Sequence, residues 1–426
     1  MTLRILAVGD MHLGRRPSRL PSALADRARA LGPAEAWARV VEAAIEEKVD
    51  AVAMAGDLVE RENDFFEAYR ELHQGVERLA GEGIRVLGVG GNHDAGVLPR
   101  LAKQIPAFEV LGTGGAWESR ELTGGGEVAT LWGWSFPGPR VTRSPLAGVD
   151  FERGPGPNLG LLHCDRDQTG SPYAPVSSRA LEDAGLDGWL LGHFHRPDAL
   201  TARHLSGYLG SVTGLDPGET DAHGPWLITV DGGRIRDVDQ WVVAPLRWER
   251  LEVDLVGITE PEEARSRLLD HMRKLDSGMV GGRWPAKAVG LRVYFTGRSR
   301  FGEAAAALFS GEDRDHVHTG EGETHYFIER LEAVTRPEIL LETLAKRNDP
   351  PGLLARRLLL LDRPVENPER QKLLAEARRN LEAETRNPRW SSLRVEPPDE
   401  EVTAEWLRRS GMQLLDRLMA QQEGGS

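Results

Sequence analysis

Leu3-Arg-Ile-Leu-Ala-Val-Gly-Asp-Met-His12 begins as a buried strand and ends in a carboxylate and an imidazole two residues apart. A short, nearly continuous apolar run fits a strand covered on both faces. Sites in α/β sheets assemble where such strands end. A single triplet of this kind is weak, because a surface turn with an Asp cap explains it equally well. The same pattern then recurs down the chain. Ala51-Val-Ala-Met-Ala55 runs into Gly56-Asp57, and Ile84–Val89 into Gly91-Asn92-His93-Asp94. Leu161-Leu-His163 and Leu190-Leu-Gly-His193-Phe-His195 close two further apolar runs. Between the first three strands, Ala34–Lys48 places Ala36, Trp37, Val40, Val41, Ala44 and Ile45 at helical spacing, and Phe65–Leu79 does so with Phe66, Tyr69, Leu72, Val76 and Leu79. Alternating strands and helices predict βαβ units and a partly parallel sheet.

The composition bounds the rest. A chain of 426 residues, 40% hydrophobic and 28% charged, predicts two or three globular domains. The formal charge of −13 excludes a basic protein that coats nucleic acid indiscriminately, although one local face can still be basic. The lone cysteine, Cys164, excludes an internal disulfide and a cysteine zinc cage; beside His163 it reads as a small buried residue, since neighbours in a strand face opposite ways. No run approaches the ~18 uninterrupted apolar residues of a membrane span, and the N-terminus leads directly into a strand. A cytoplasmic location with no membrane partner is expected.

Five separate strand ends thus carry Asp10, His12, Asp57, Asn92, His163, His193 and His195. Two carboxylates, an amide oxygen and four imidazoles suit two divalent ions, with one carboxylate bridging. Mixed nitrogen and oxygen donors favour manganese, iron or zinc over magnesium or calcium. Two such ions form a clamp for in-line displacement at phosphorus.

The order D-x-H, G-D, G-N-H-D, H, G-H-x-H resembles the calcineurin-like metallophosphoesterase superfamily, element by element. The resemblance implies a four-layer α/β/β/α sandwich with two metal ions, manganese first among them and Fe2+ or Zn2+ as alternatives. Asp10, His12, Asp57 and His195 would hold one ion, and Asp57, Asn92, His163 and His193 the other. His93 would be the catalytic histidine, and Asp94, placed with it, would orient backbone or His93. Within the superfamily the chain is similar to the SbcD/YhaO-like DNA repair exonucleases, the bacterial branch of the meiotic recombination nuclease. Asp10-Met-His-Leu-Gly14, the acid Asp94, and the stretch from Leu162 through Tyr173-Ala-Pro to Gly192–His195 and Gly207–Ser211 carry that likeness. It implies a nuclease of DNA ends, working with an SbcC-like coiled-coil ABC ATPase, and is compatible with a homodimer. Arg15, Arg16 and Arg61 at the mouth, with Glu60, are the candidate substrate-binding residues.

One departure alters what the resemblance implies. Nucleases of the branch commonly place a second catalytic histidine three residues after the bridging aspartate, where this chain has Glu60. Gly56-Asp-Leu-Val-Glu-Arg61 also approaches a phosphoprotein-phosphatase motif. A phosphomonoesterase or small-molecule phosphodiesterase, and a weakly catalytic docking subunit of the ATPase, therefore remain competing readings.

The expected organisation is a phosphoesterase domain over 1–243, a small α+β cap over 244–336 and a helical C-terminal region over 337–426. In the last, proline breaks at Asp349, Asn367, Asn387 and Glu396 separate the helices, and Gln421–Ser426 reads as a frayed tail. The leucine-rich Leu353–Leu361 is the expected contact for the ATPase.

Overall fold

A computed structural model describes residues 2–279, 283–317, 323–385 and 398–423. The breaks at Asn387 and Glu396, and the last residues of the tail, lie outside them. The chain divides into two compact units, Met1–Gly297 with Phe301–Thr335, and Arg298–Arg300 with Arg336–Ser426.

The larger unit contains three sheets. In the first half lie β1 (Leu3–Val8), β2 (Ala51–Met54), β3 (Arg85–Gly88), β4 (Phe108–Val110), β5 (Glu118–Gly124) and β6 (Glu127–Trp134). They are followed by β7 (Asn158–His163), β8 (Gly188–Gly192), β9 (Ser206–Tyr208), β10 (Trp226–Asp231) and β11 (Arg234–Gln240). One sheet has the order β11-β10-β1-β2-β3-β4, parallel from β1 to β4 with an antiparallel edge; the other has the order β5-β6-β7-β8-β9. Helices α1 (Pro33–Glu46), α2 (Phe65–Gly81), α3 (Leu98–Gln104) and α4 (Ser178–Asp183) cover the outer faces.

The period-two alternation of strand side chains builds the layers. Leu3, Ile5 and Ala7 of β1 share a core with Leu159 and Leu161 of β7 and Leu190 of β8, between the two sheets. Leu6 and Val8 turn the other way, onto Trp37 and Val40 of α1 and Leu72 and Val76 of α2. Leu162, Trp189 and Leu191 face outward under Leu181 of α4, with Cys164 buried among them. The result is helix, sheet, sheet, helix, an α/β fold of four layers. Gly75 lets α2 approach α1, since a Cβ there would lie 2.3 Å from Trp37 Nε1.

The third sheet, β12 (Leu246–Asp254), β13 (Ala288–Thr296) and β14 (His325–Ala333), is parallel and packs on α5 (Glu263–Met279) and α6 (Gly302–Ala307), with the short α7 (Glu312–Asp315) beside β14. β14 leaves little sequence signal, because Glu329, Arg330 and Glu332 follow its buried Tyr326-Phe-Ile328. The smaller unit is built from α8 (Leu341–Leu344), α9 (Pro350–Leu360), α10 (Pro368–Thr385) and α11 (Glu400–Glu423). Leu344, Ala355, Leu358, Leu361, Leu374 and Leu415 form its core, so two residues of the leucine run face inward while Leu353 is exposed.

One expectation on α2 is corrected. Phe66 was placed on the buried face, but it is 82% exposed. Phe65 takes that place, with Ala68, Leu72, Val76 and Leu79 following at helical spacing, and its neighbour Phe66 points into solvent by the 100° turn per residue.

Candidate metal centre

Strands β1, β2 and β3 run parallel as neighbours, as do β7 and β8, so all five motifs leave at strand C-terminal ends. The loops are locked to one another. Leu13 N–H donates to Leu58 C=O (2.8 Å) and His12 N–H to Asp57 C=O (2.9 Å). Asp94, fully buried, accepts from Leu58 N–H and Gly91 N–H, both at 2.7 Å, joining the second loop to the third. With both oxygens on backbone, Asp94 is a positioning residue. Three ligand candidates adopt left-handed backbone, His12 (φ 49°), Asp57 (φ 48°) and His193 (φ 106°). Such conformations cost about 1–3 kcal/mol each and persist where the surroundings impose them. Gly91 is required for closeness: a Cβ there would meet Asp57 Oδ1 at 2.2 Å.

The side chains gather in overlapping clusters whose donor atoms lie within 4.8 Å of one another: Asp10, His12 and His195; Asp57, His163 and His193; His12, Glu60 and His93. Asn92 joins the second cluster, its Oδ1 lying 3.1 Å from His163 Nε2. Asp57 sits between the first two, with Oδ2 3.3 Å from His163 Nε2 and 4.0 Å from His12 Nε2, while its Oδ1 accepts from His93 N–H (2.9 Å). Asp10 accepts from His193 N–H at 2.9 Å.

Each of the five histidines has one ring nitrogen held by oxygen. His195 Nδ1 meets Glu219 (2.8 Å), His193 Nε2 meets Asp165 (3.2 Å) and His163 Nδ1 meets Ala55 C=O (3.1 Å). His93 Nδ1 meets Glu60 C=O (2.8 Å), and His12 Nδ1 lies 2.8 Å from Glu60 Oε2. That last pair is at ion-pair distance without ideal hydrogen-bond alignment. An oxygen acceptor on one ring nitrogen draws the proton there and leaves the opposite nitrogen to serve a cation. The opposite nitrogens face each other, His12 Nε2 to His195 Nε2 at 3.0 Å and His163 Nε2 to His193 Nδ1 at 3.2 Å. A proton or a metal cation between each pair relieves the repulsion of two facing lone pairs, and a cation does so by displacing the proton. The donor set therefore fits divalent cations: Asp10, His12, Asp57 and His195 on one side, Asp57, Asn92, His163 and His193 on the other.

The electrostatics agree. Burial pushes the Asp57 carboxyl up, but His163 and then His12 outweigh it and hold the group well below the usual carboxylate range. Burial opposes charging of His163, yet Asp57 beside it lifts the imidazole to about 9. Burial, then the like charge of Asp57, raises Asp94 to about 7 against the pull of its two N–H donors. Burial pushes the Cys164 thiol up, keeping it an inert core residue.

The other sequence candidates are spread more widely. Arg15 pairs with Asp216, and Arg16 and Arg61 are exposed. Glu60 turns inward to His12 and His93 instead of outward to a substrate. Glu219 and Asp165 were missed. Glu219 sits in no motif, and Asp165, although within the stretch that carries the family likeness, has no spacing that pairs it with His193.

Residues 3–197 match the calcineurin-like phosphoesterase family model. This stretch contains every candidate ligand, and its relatives support the same metallophosphoesterase superfamily. The chain is 28% identical over 225 residues to the uncharacterized metallophosphoesterase YhaO of Bacillus subtilis, covering 51% of this chain and 54% of that one. It is 26% identical over 274 residues to the DNA double-strand break repair protein Mre11 of Haloferax volcanii, covering 62% and 58%. The match thus spans little more than half the length of either relative. Among solved structures, the calcineurin-like phosphoesterase YfkN of Bacillus subtilis is 13% identical, with 65% of this chain and 98% of that chain covered and a TM-score of 0.34. Metallophosphoesterases are hydrolases with a dinuclear metal site, and the Asp and His clusters are this chain's candidates for it. Among the described residues no helix is long and apolar enough to cross a membrane.

Proposed function

We propose that this chain is a dinuclear-metal phosphodiesterase, a DNA repair exo/endonuclease subunit that acts with an SbcC-like ABC ATPase. The observation that carries the chemistry is the two pairs of facing imidazole nitrogens, each histidine braced from behind by oxygen. Asp10, His12, Asp57 and His195 would hold one cation and Asp57, Asn92, His163 and His193 the second, manganese being favoured. When bound, two such ions neutralise charge on phosphoryl oxygens and acidify water. The chain's own part is positional and protonic. Asp94 fixes the loops that bring Asp57 beside Gly91, and Glu60 C=O holds His93 by Nδ1–H, leaving Nε2 of this exposed ring to face a substrate. From Nε2 His93 stabilises the charge developing at phosphorus or delivers a proton to the leaving oxygen.

Similarity to the DNA double-strand break repair protein Mre11 supports nucleic acid as substrate. Exposed Leu353, Val365, Trp406 and Leu414 on the helical unit support a protein partner there. A phosphomonoesterase is the competing reading, favoured by exposed Arg61 in the Gly56–Arg61 stretch. The test compares bis-p-nitrophenyl phosphate with the monoester in manganese, and adds a linear DNA duplex. Hydrolysis of the diester and of DNA, lost in His93→Ala, is the expected result. Hydrolysis of the monoester alone would overturn it.

A further inference from the structure

One residue past His12 the chain enters a groove of about 320 Å3, walled by Leu13–Arg16 on one side and by the first turns of α2 on the other. That volume is at the lower end of small-ligand sites. Leu13 is tied to the second loop of the metal centre, donating to Leu58 C=O and accepting from Glu60 N–H (3.0 Å). The floor of the groove and the cation ligands therefore belong to one rigid piece of backbone.

Two features of the lining point to a ligand. Phe66 stands 82% exposed, although Phe65 already fills the hydrophobic position of that turn. Around it are Arg15, Arg16, Arg29 and Arg70. Two acids, Glu67 and Glu71, also line the groove, but Arg29 and Arg70 share the Glu71 carboxylate. Arg15 pairs with Asp216, so four guanidinium groups meet three carboxylates and a surplus of positive charge is left at the exposed Arg16. In a chain of net charge −13 such a surplus is not the background.

We infer that this groove binds unpaired nucleotides of a single strand, a base stacking on Phe66 while Arg15 and Arg16 hold the flanking phosphates. A base with its phosphates answers both features at once: the ring supplies a stacking face, and the guanidiniums meet anionic oxygen without losing their charge partners to an apolar surface. Only an unpaired base can offer that face, because in a duplex it is already stacked. The role of the groove as a path to the scissile bond rests on the phosphodiesterase reading above; the binding itself does not.

Binding of a fluorescein-labelled oligothymidylate, measured by anisotropy in a chelator so that nothing turns over, tests the groove apart from the chemistry. Phe66→Ala should weaken it about tenfold, and Phe66→Trp should restore it. An abasic strand of the same length should bind wild type as weakly as the thymidylate binds Phe66→Ala. Because Phe66 is exposed, the thermal melt of each variant should match wild type. Equal binding by Phe66→Ala and wild type, or equal binding of the abasic strand by wild type, overturns the inference. So does a Phe66→Ala chain with unchanged binding whose mass by light scattering falls, which would make Phe66 a contact between copies. Hydrolysis of bis-p-nitrophenyl phosphate reads the chemistry separately: its absence beside a clear Phe66 effect would sink the hydrolase reading and leave the groove standing.

Discussion

Raising the pH from 7 to 9 should strengthen cation binding at the Asp57–His163–His193 cluster about fiftyfold. His163 Nε2 and Asp57 Oδ2 lie 3.3 Å apart, both buried. Burial works against charge on the ring, but Asp57, with Asp10 and Asp94 adding to it, lifts His163 from 6.5 to about 9. That difference is worth on the order of 3 kcal/mol at about 1.4 kcal/mol per pH unit. At pH 7 all but about 1% of chelator-stripped chains hold a second proton on this ring. A ligand nitrogen must be neutral, so a cation has to displace that proton, and affinity should climb about tenfold per pH unit until it levels near 9. The stability of the stripped chain follows the opposite course. The contribution of His163 is fully present below 6.5 and fades as pH rises through about 9, while that of Asp57 is present above 3.8 and fades as pH falls through its lowered value. Isothermal titration of manganese into stripped protein at pH 7 and 8, in two buffers of different ionisation heat, counts the protons. About one proton released at this cluster, and none from it in His163→Gln, is expected. Affinity independent of pH, with no proton released, would refute the reasoning.

Three substitutions separate the roles of the surrounding groups. His93→Gln should keep both cations, by elemental analysis, and lower kcat on a phosphodiester about 10²- to 10⁴-fold, the usual contribution of a positioned acid or base. Glu219→Gln removes the charge behind His195 and should weaken cation binding about 10- to 100-fold in a chelator competition, with little change in the urea melt. Asp94→Ala strips two buried N–H groups of their acceptor and should cost about 2–6 kcal/mol in urea unfolding, at about 1–3 kcal/mol for each orphaned donor.

Much of the centre was legible because its residues obey a local rule: a polar group directly after an apolar strand. Asp10, Asp57, Asn92, His163 and His193 all follow it, and the sheet topology then brings them together without further instruction. What stayed hidden lacks local periodicity. Glu219 reaches His195 from an irregular loop, and Asp165 reaches His193 from another, so only tertiary structure joins each pair. Strand β14 was masked by the charged residues Glu329, Arg330 and Glu332 within it, and β5 by its nearly all-polar sequence, with Leu122 alone buried. Phe66 failed for a simpler reason. Two adjacent phenylalanines cannot both face one core from a helix, and sequence alone does not say which one yields.

The central claim is that Asp57 lies between two cation positions. Elemental analysis of manganese-loaded, desalted protein beside its Asp57→Asn variant tests it most directly. Two ions per wild-type chain, and loss of both in the variant together with its diesterase activity, are expected. A variant that retains the wild-type metal content, or a wild-type chain that holds no transition metal after loading, would contradict it.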